Sequence, residues 1–176
     1  MEWIVAFVRL PSEPSRHRVA VWRELRCGGA LPLGAGTWAL PATPLAAETL
    51  DKVQELVERA AEGMLLLLDA RGRDDASGSR LRELYTAARE EEWVEFLSDC
   101  SKYHAELERE IEKQKFTLAE LEEEEQSLDR LRRWHRQIAL RDIFTAPSAG
   151  AADAALRESV ERLDDFAERV YRALDH

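Results

Sequence analysis

The chain has 176 residues, 45% of them apolar and 34% charged. This balance fits a folded, helix-leaning protein of one domain, or of one small domain with a helical extension, and excludes a disordered chain. The net charge of −10 excludes a general, charge-driven nucleic-acid binder.

Charge is unevenly spread. Residues 1–50 hold five arginines and four acidic residues, whereas residues 51–176 hold the other 20 basic and 31 acidic residues. An anion or nucleic-acid site therefore belongs in the first 50 residues. Cys27 and Cys100 lie far apart without CxxC or Cys/His spacing, so they are read as two reduced thiols of a cytoplasmic protein, with neither a disulfide framework nor zinc. Met1-Glu2-Trp3-Ile4 has no basic n-region and is no signal peptide, and the longest apolar run, Met64 to Leu68, is too short to span a bilayer.

Trp3 to Leu10 (WIVAFVRL) reads as a buried strand ended by Pro11. Ser12, Pro14 and Ser15 supply turn and cap chemistry, and a helix is predicted from about Ser15. Its inward stripe is taken as Val19, Trp22 and Leu25, and Gly28-Gly29 stops it. Ala30–Leu33 and Thr37–Leu40 then pair as a hairpin around Gly34-Ala35-Gly36. That Gly-x-Gly lacks the third glycine and the following helix of a phosphate loop.

After Pro41 and Pro44 a helix runs from Leu45 or Ala46 to Ala61, with Leu50, Val53, Leu56, Val57 and Ala60 on one face. Met64 to Ala70 (MLLLLDA) is a continuous apolar strand. Strand, helix, strand, strand, helix, strand is the order of a ferredoxin-like βαββαβ unit. The fold class is therefore α+β, with that unit at residues 2–70 and a helical extension at 80–176 that packs on it and ends in a helical hairpin.

Residues 71–79 read as a loop and Arg80 to Arg89 as a short helix. A long helix is expected over Trp93 to Ile143, with a seam of Leu107, Ile111, Leu118, Leu121, Leu128, Leu131 and Ile138. A linker follows at Ala146–Gly150, and Leu156, Val160, Leu163, Phe166, Val170 and Leu174 mark a last amphipathic helix. The run Glu120, Glu122, Glu123, Glu124 and Glu125 has no Glu-x-x-His partner for a di-metal site and reads as a solvated face. The basic stretch Arg130, Arg132, Arg133, His135 and Arg136 is expected to pair with those glutamates at helical spacing.

The chemistry-bearing cluster is Arg16, Arg18, Arg23 and Arg26. Guanidinium groups take phosphates and other oxyanions through bidentate hydrogen bonds, and Arg9 at the end of the first strand could share such a site. The competing reading is a solvated face paired with Glu13 and Glu24. Trp3, Trp22 and Trp38 serve as core, or one of them stacks on a base or a partner. No nucleophile elbow, metal cluster or cofactor motif is present in the sequence, which argues against an enzyme.

These residues carry a likeness. Trp3, Pro11, Ser15, Arg18, Trp22, Arg23, Gly28-Gly29 and Leu40-Pro41 resemble the N-terminal domain of the chromate-resistance regulator ChrB family. In that family an apolar strand ends in Pro, a Ser-x-x-Arg-x-x-x-Trp-Arg helix follows, and a hairpin ends in Leu-Pro. The likeness continues through REEEWVEFLSDC (Arg89–Cys100) and IALRDIF (Ile138–Phe144), covering about residues 2–145. The βαββαβ order is also similar to Cas2-like and PaaX-like domains. The first strand ends Val8-Arg9-Leu10-Pro11, without the Asp that holds a metal in Cas2 nucleases.

The resemblance implies a cytoplasmic, chromate-responsive regulator of a chromate-resistance operon, without a cofactor, that binds promoter DNA as a homodimer. Chromate is the implied effector, and Arg16, Arg18, Arg23 and Arg26 are the expected DNA- or oxyanion-contacting residues. Longer relatives carry a further C-terminal domain with no counterpart in this sequence. The alternative is an accessory factor that binds an oxyanion or a protein partner and not DNA, which the acidic balance of residues 51–176 favours.

Overall fold

The computed structural model describes Met1–Asp175. The protein is a mixed α+β chain with a four-stranded antiparallel sheet and five helices. It divides into two compact units, Met1–Ala88 and the chain from Arg89 on.

The first unit runs β1 (Trp3–Arg9), α1 (Arg16–Cys27), β2 (Leu31–Gly34), β3 (Thr37–Pro41), α2 (Pro44–Glu58) and β4 (Met64–Ala70), and takes in the start of α3 (Asp75–Glu112). The sheet order is β2-β3-β1-β4. In β1, alternation sends Ile4, Ala6 and Val8 to the helix side, where they join Trp38 and Leu40 of β3 and Val21, Leu25, Leu50 and Val53 of the helices in one core. Full burial of a leucine such as Leu25 is worth about 2 kcal/mol.

Gly28 ends α1 and Gly29 adopts the left-handed φ of 78°. Gly28 also lets α2 approach, since a Cβ there would stand 2.2 Å from Oγ1 of Thr49. The hairpin turn at Gly36 is equally close, with its carbonyl accepting from the Val8 amide at 2.7 Å. The α2 stripe agrees with the sequence reading, and Thr43 caps that helix by accepting from the Ala46 amide at 3.2 Å.

Three expectations for this unit need correction. The inward stripe of α1 is Val21 and Leu25, while Val19 and Trp22 are exposed. Positions four apart stay on one helix face, whereas a chain of steps of three drifts off it. Ser15 sits at the N-cap position but makes no side-chain cap bond. β1 is half-buried and not sealed on both faces. β4, apolar apart from Asp69, lies at the sheet edge, and Met64, Leu66, Leu67 and Leu68 are exposed.

The second unit contains the rest of α3, then α4 (Leu118–Arg141) and α5 (Ala149–Leu174). Its core joins Trp93, Phe96, Tyr103 and Leu107 of α3 to Leu121, Leu128 and Ile138 of α4 and Leu163, Phe166 and Val170 of α5. The expected separate helix at Arg80–Arg89 and single long helix at Trp93–Ile143 are not observed. α3 instead starts at Asp75, where the Asp74 carboxylate accepts from the Ser77 amide at 2.7 Å. It stops before Gln114, which takes a positive φ of 55°. α4 restarts behind Thr117, whose side chain accepts from the Glu120 amide at 3.3 Å, the S/T-x-x-E pattern of a helix start. Among the described residues no helix is long and apolar enough to cross a membrane.

Candidate functional site

In α1, burial of Val21 and Leu25 dictates which way the basic side chains point. Arg18, Trp22 and Arg26 follow at i, i+4 and i+8 along one flank, and Arg16 and Arg23 lie on the outer face. All four arginines are exposed. The Arg26 guanidinium stands 5.3 Å from the centroid of the Trp22 ring, within cation–π range. Trp22 itself is 51% exposed, a large aromatic surface held open beside cations.

Arg18 Nη2 donates to the Ser12 carbonyl at 3.0 Å, so its guanidinium is tethered to the loop before α1. With Arg9, Leu10, Trp22, Gly36 and Trp38 it lines a groove of about 430 Å³. Arg9 and Arg18 thus meet on one groove, with Trp22 as its aromatic wall. Arg16, Arg23 and Arg26 lie outside its lining. In the sequence, the expected stripe of threes hid the place of Trp22 beside this groove.

Among the described residues none of Arg16, Arg18, Arg23 and Arg26 has a carboxylate within salt-bridge distance. Glu24, the expected partner, faces Lys52 at 3.9 Å instead. Several arginines of the second unit are paired instead. Arg162 is held by Glu108 at 2.6 Å and Glu158 at 2.8 Å, Arg169 by Asp165 at 2.9 Å, and Arg172 by Glu168 at 3.1 Å. Residues 1–88 hold 11 basic and 12 acidic residues, and residues 89–176 hold 14 and 23. Arg16 and Arg18 also sit in the first turn of α1, whose unpaired amides favour anions.

In the basic stretch of α4, Arg132 and His135 have other acidic partners than the glutamates expected for them. Arg132 pairs with Asp129 at 3.5 Å, and His135 Nε2 meets Asp153 of α5 at 2.6 Å. The acidic run is not wholly a solvated face either. Glu124 is 2% exposed, and burial, reinforced by Glu106, Glu123, Glu110 and Glu120, raises its pKa to about 7.

The two later motifs, Arg89–Cys100 and Ile138–Phe144, meet in the second unit. Glu92 lies 2.7 Å from Arg89 Nε and accepts from Arg141 Nη2 at 2.7 Å. Trp93 Nε1 donates to Asp142 Oδ2 at 2.8 Å, and the Asp142 carboxylate also accepts from the Ala146 amide. Glu90 accepts from the amide and the hydroxyl of Ser148. These polar residues therefore clamp α3, the end of α4 and the start of α5 together. No pairing signal across these 49 positions is legible in the sequence, because nothing local marks which acid meets which arginine.

The family model described as Protein ChrB, N-terminal, matches residues 18–176. The chain belongs to this family, which ties it to chromate resistance. The match takes in the Trp93–Asp142 clamp and continues through α5, past the residues that carried the likeness in the sequence. No curated protein and no solved structure matches the chain.

Proposed function

We propose that the chain is a chromate-responsive transcriptional regulator of a chromate-resistance operon. On this reading it acts in the cytoplasm, without catalytic activity, and binds promoter DNA as a homodimer through a ferredoxin-like unit followed by a C-terminal helical hairpin. The observation that supports it is the set of four exposed α1 arginines without carboxylate partners in a protein of net charge −10. Keeping like charges together unpaired costs free energy that an anionic ligand offsets. Arg16 and Arg23 on the outer face suit a phosphate backbone, and Trp22 beside Arg26 suits a stacked ring. Chromate is an oxyanion like phosphate, so the Arg9–Arg18 groove suits an effector that weakens the DNA contact.

The test is fluorescence anisotropy on the chain's own promoter duplex across a salt series. Replacing Arg16 or Arg23 by Ala should weaken binding to all duplexes alike and lower the salt slope by about 1. If Arg16, Arg18, Arg23 and Arg26 can all be replaced without loss, the α1 site is wrong.

A second reading keeps the same groove for an oxyanion but has no DNA role, with the acidic second unit docking a protein partner. The excess of 23 acidic over 14 basic residues from 89 on favours it. It expects no selective duplex binding at any salt.

A further inference from the structure

The two edges of the sheet are built differently. The β2 edge is four residues long, carries Pro32, and is broken by a register shift between Pro32 and Gly34. Proline, shortness and bulges are the devices that keep an edge strand from pairing with another chain. The β4 edge has none of them. It runs seven residues, MLLLLDA, in unbroken register against β1 from Trp3↔Ala70 to Arg9↔Met64, and among the described residues no strand pairs with its outer side. Its outward backbone donors and acceptors therefore form an open ladder. Leu66, Leu67 and Leu68 are 48%, 41% and 47% exposed. Leu66 and Leu68 lie beside Phe7 and Val5 on the face away from α1 and α2, so the edge adjoins an apolar row.

Strand ends supply the sign of the partner. Glu62 and Gly63 precede β4, and Arg71 and Arg73 follow it. None of the three charged residues has an ion-pair partner among the described residues. Antiparallel pairing with an identical strand, on a two-fold axis at or beside Leu67, sets Glu62 of each copy against residues 71–73 of the other. A two-fold interface must be self-complementary in this way, and here shape, hydrogen bonding and charge agree.

We infer that β4 is the homodimer interface, pairing antiparallel with β4 of a second copy to make one continuous eight-stranded sheet. The inference rests on the dimeric part of the proposed function and names its surface. Each copy would then carry its α1 arginines at a fixed distance from those of the other, related by the two-fold axis.

The experiment is sedimentation equilibrium on the full chain from ~1 to ~100 µM. Wild type is compared with L66K/L68K, with Glu62→Arg, and with Glu62→Arg combined with Arg71→Glu and Arg73→Glu. Wild type should dimerise, L66K/L68K should weaken the dimer by about 30-fold or more, Glu62→Arg should weaken it, and the combined swap should restore it. Circular dichroism checks the fold of each variant. Hydrogen exchange on wild type adds a readout without mutation, since protection of amides 64–70 should rise as the dimer forms. A monomer at every concentration overturns both this interface and the dimeric reading above. A dimer that tolerates L66K/L68K, or whose β4 amides exchange alike in monomer and dimer, overturns the interface alone.

Discussion

The indole N–H of Trp93 donates to the Asp142 carboxylate at 2.8 Å, joining two sequence motifs 49 residues apart. The same carboxylate caps the turn after α4 by accepting from the Ala146 amide. Asp142→Ala therefore strands a buried indole donor and a backbone amide, and should cost about 1–3 kcal/mol. Asp142→Asn keeps an acceptor and should cost less. Urea unfolding of the two variants against wild type checks both the size and the order.

Glu92 sits between two buried guanidiniums, those of Arg89 and Arg141. Glu92→Gln removes the negative charge and leaves two like charges facing each other out of water. The expected loss is about 3–5 kcal/mol, larger than that for Asp142→Ala. Thermal unfolding reads it, and a variant as stable as wild type would mean that the cluster relaxes into solvent.

Glu124 gives a pH signature. Its folded-state pKa of about 7 lies above the ordinary carboxyl value of 4.5, so the folded state holds a proton that the unfolded state releases. The favourable contribution is full below about 4.5 and is lost as pH rises through about 7. Wild type should thus lose stability between pH 5 and pH 8, by ~3 kcal/mol at most from this group. Glu124→Gln should flatten that fall and be the more stable protein at pH 8. Urea midpoints at the two pH values decide it.

Gly28→Ala drives a methyl group into Thr49, 2.2 Å from its Oγ1 and 2.7 Å from its Cβ. The α1–α2 contact must open, at a cost of about 1–3 kcal/mol. Adding Thr49→Ala should recover only part of this, because the Cβ remains in place. Unfolding curves for the single and double variants test that order.

Much of the fold was legible where local chemistry marks it. Gly28-Gly29 announced the end of α1, Gly34 to Gly36 the hairpin, and Leu50, Val53 and Val57 the inner face of α2. Asp74 and Thr117 were equally local signals of helix starts, and reading them as caps divides the helical half correctly. What periodicity could not show was position in the sheet. A leucine-rich strand such as β4 does not declare its neighbours, and only its place at the edge exposes it. The arginines of the site were named from composition. Their lack of acidic partners, and the groove that joins Arg18 to Arg9, depend on how α1 turns on the sheet.

The central claim is that this chain recognises promoter DNA and releases it in response to chromate. Anisotropy of wild-type protein on the promoter duplex of its own operon, titrated with chromate and in parallel with sulfate, tests it most directly. The account predicts binding that is selective over a scrambled duplex, falls with chromate, and is unmoved by equal sulfate. Equal binding to both duplexes, or no binding at moderate salt, would contradict it.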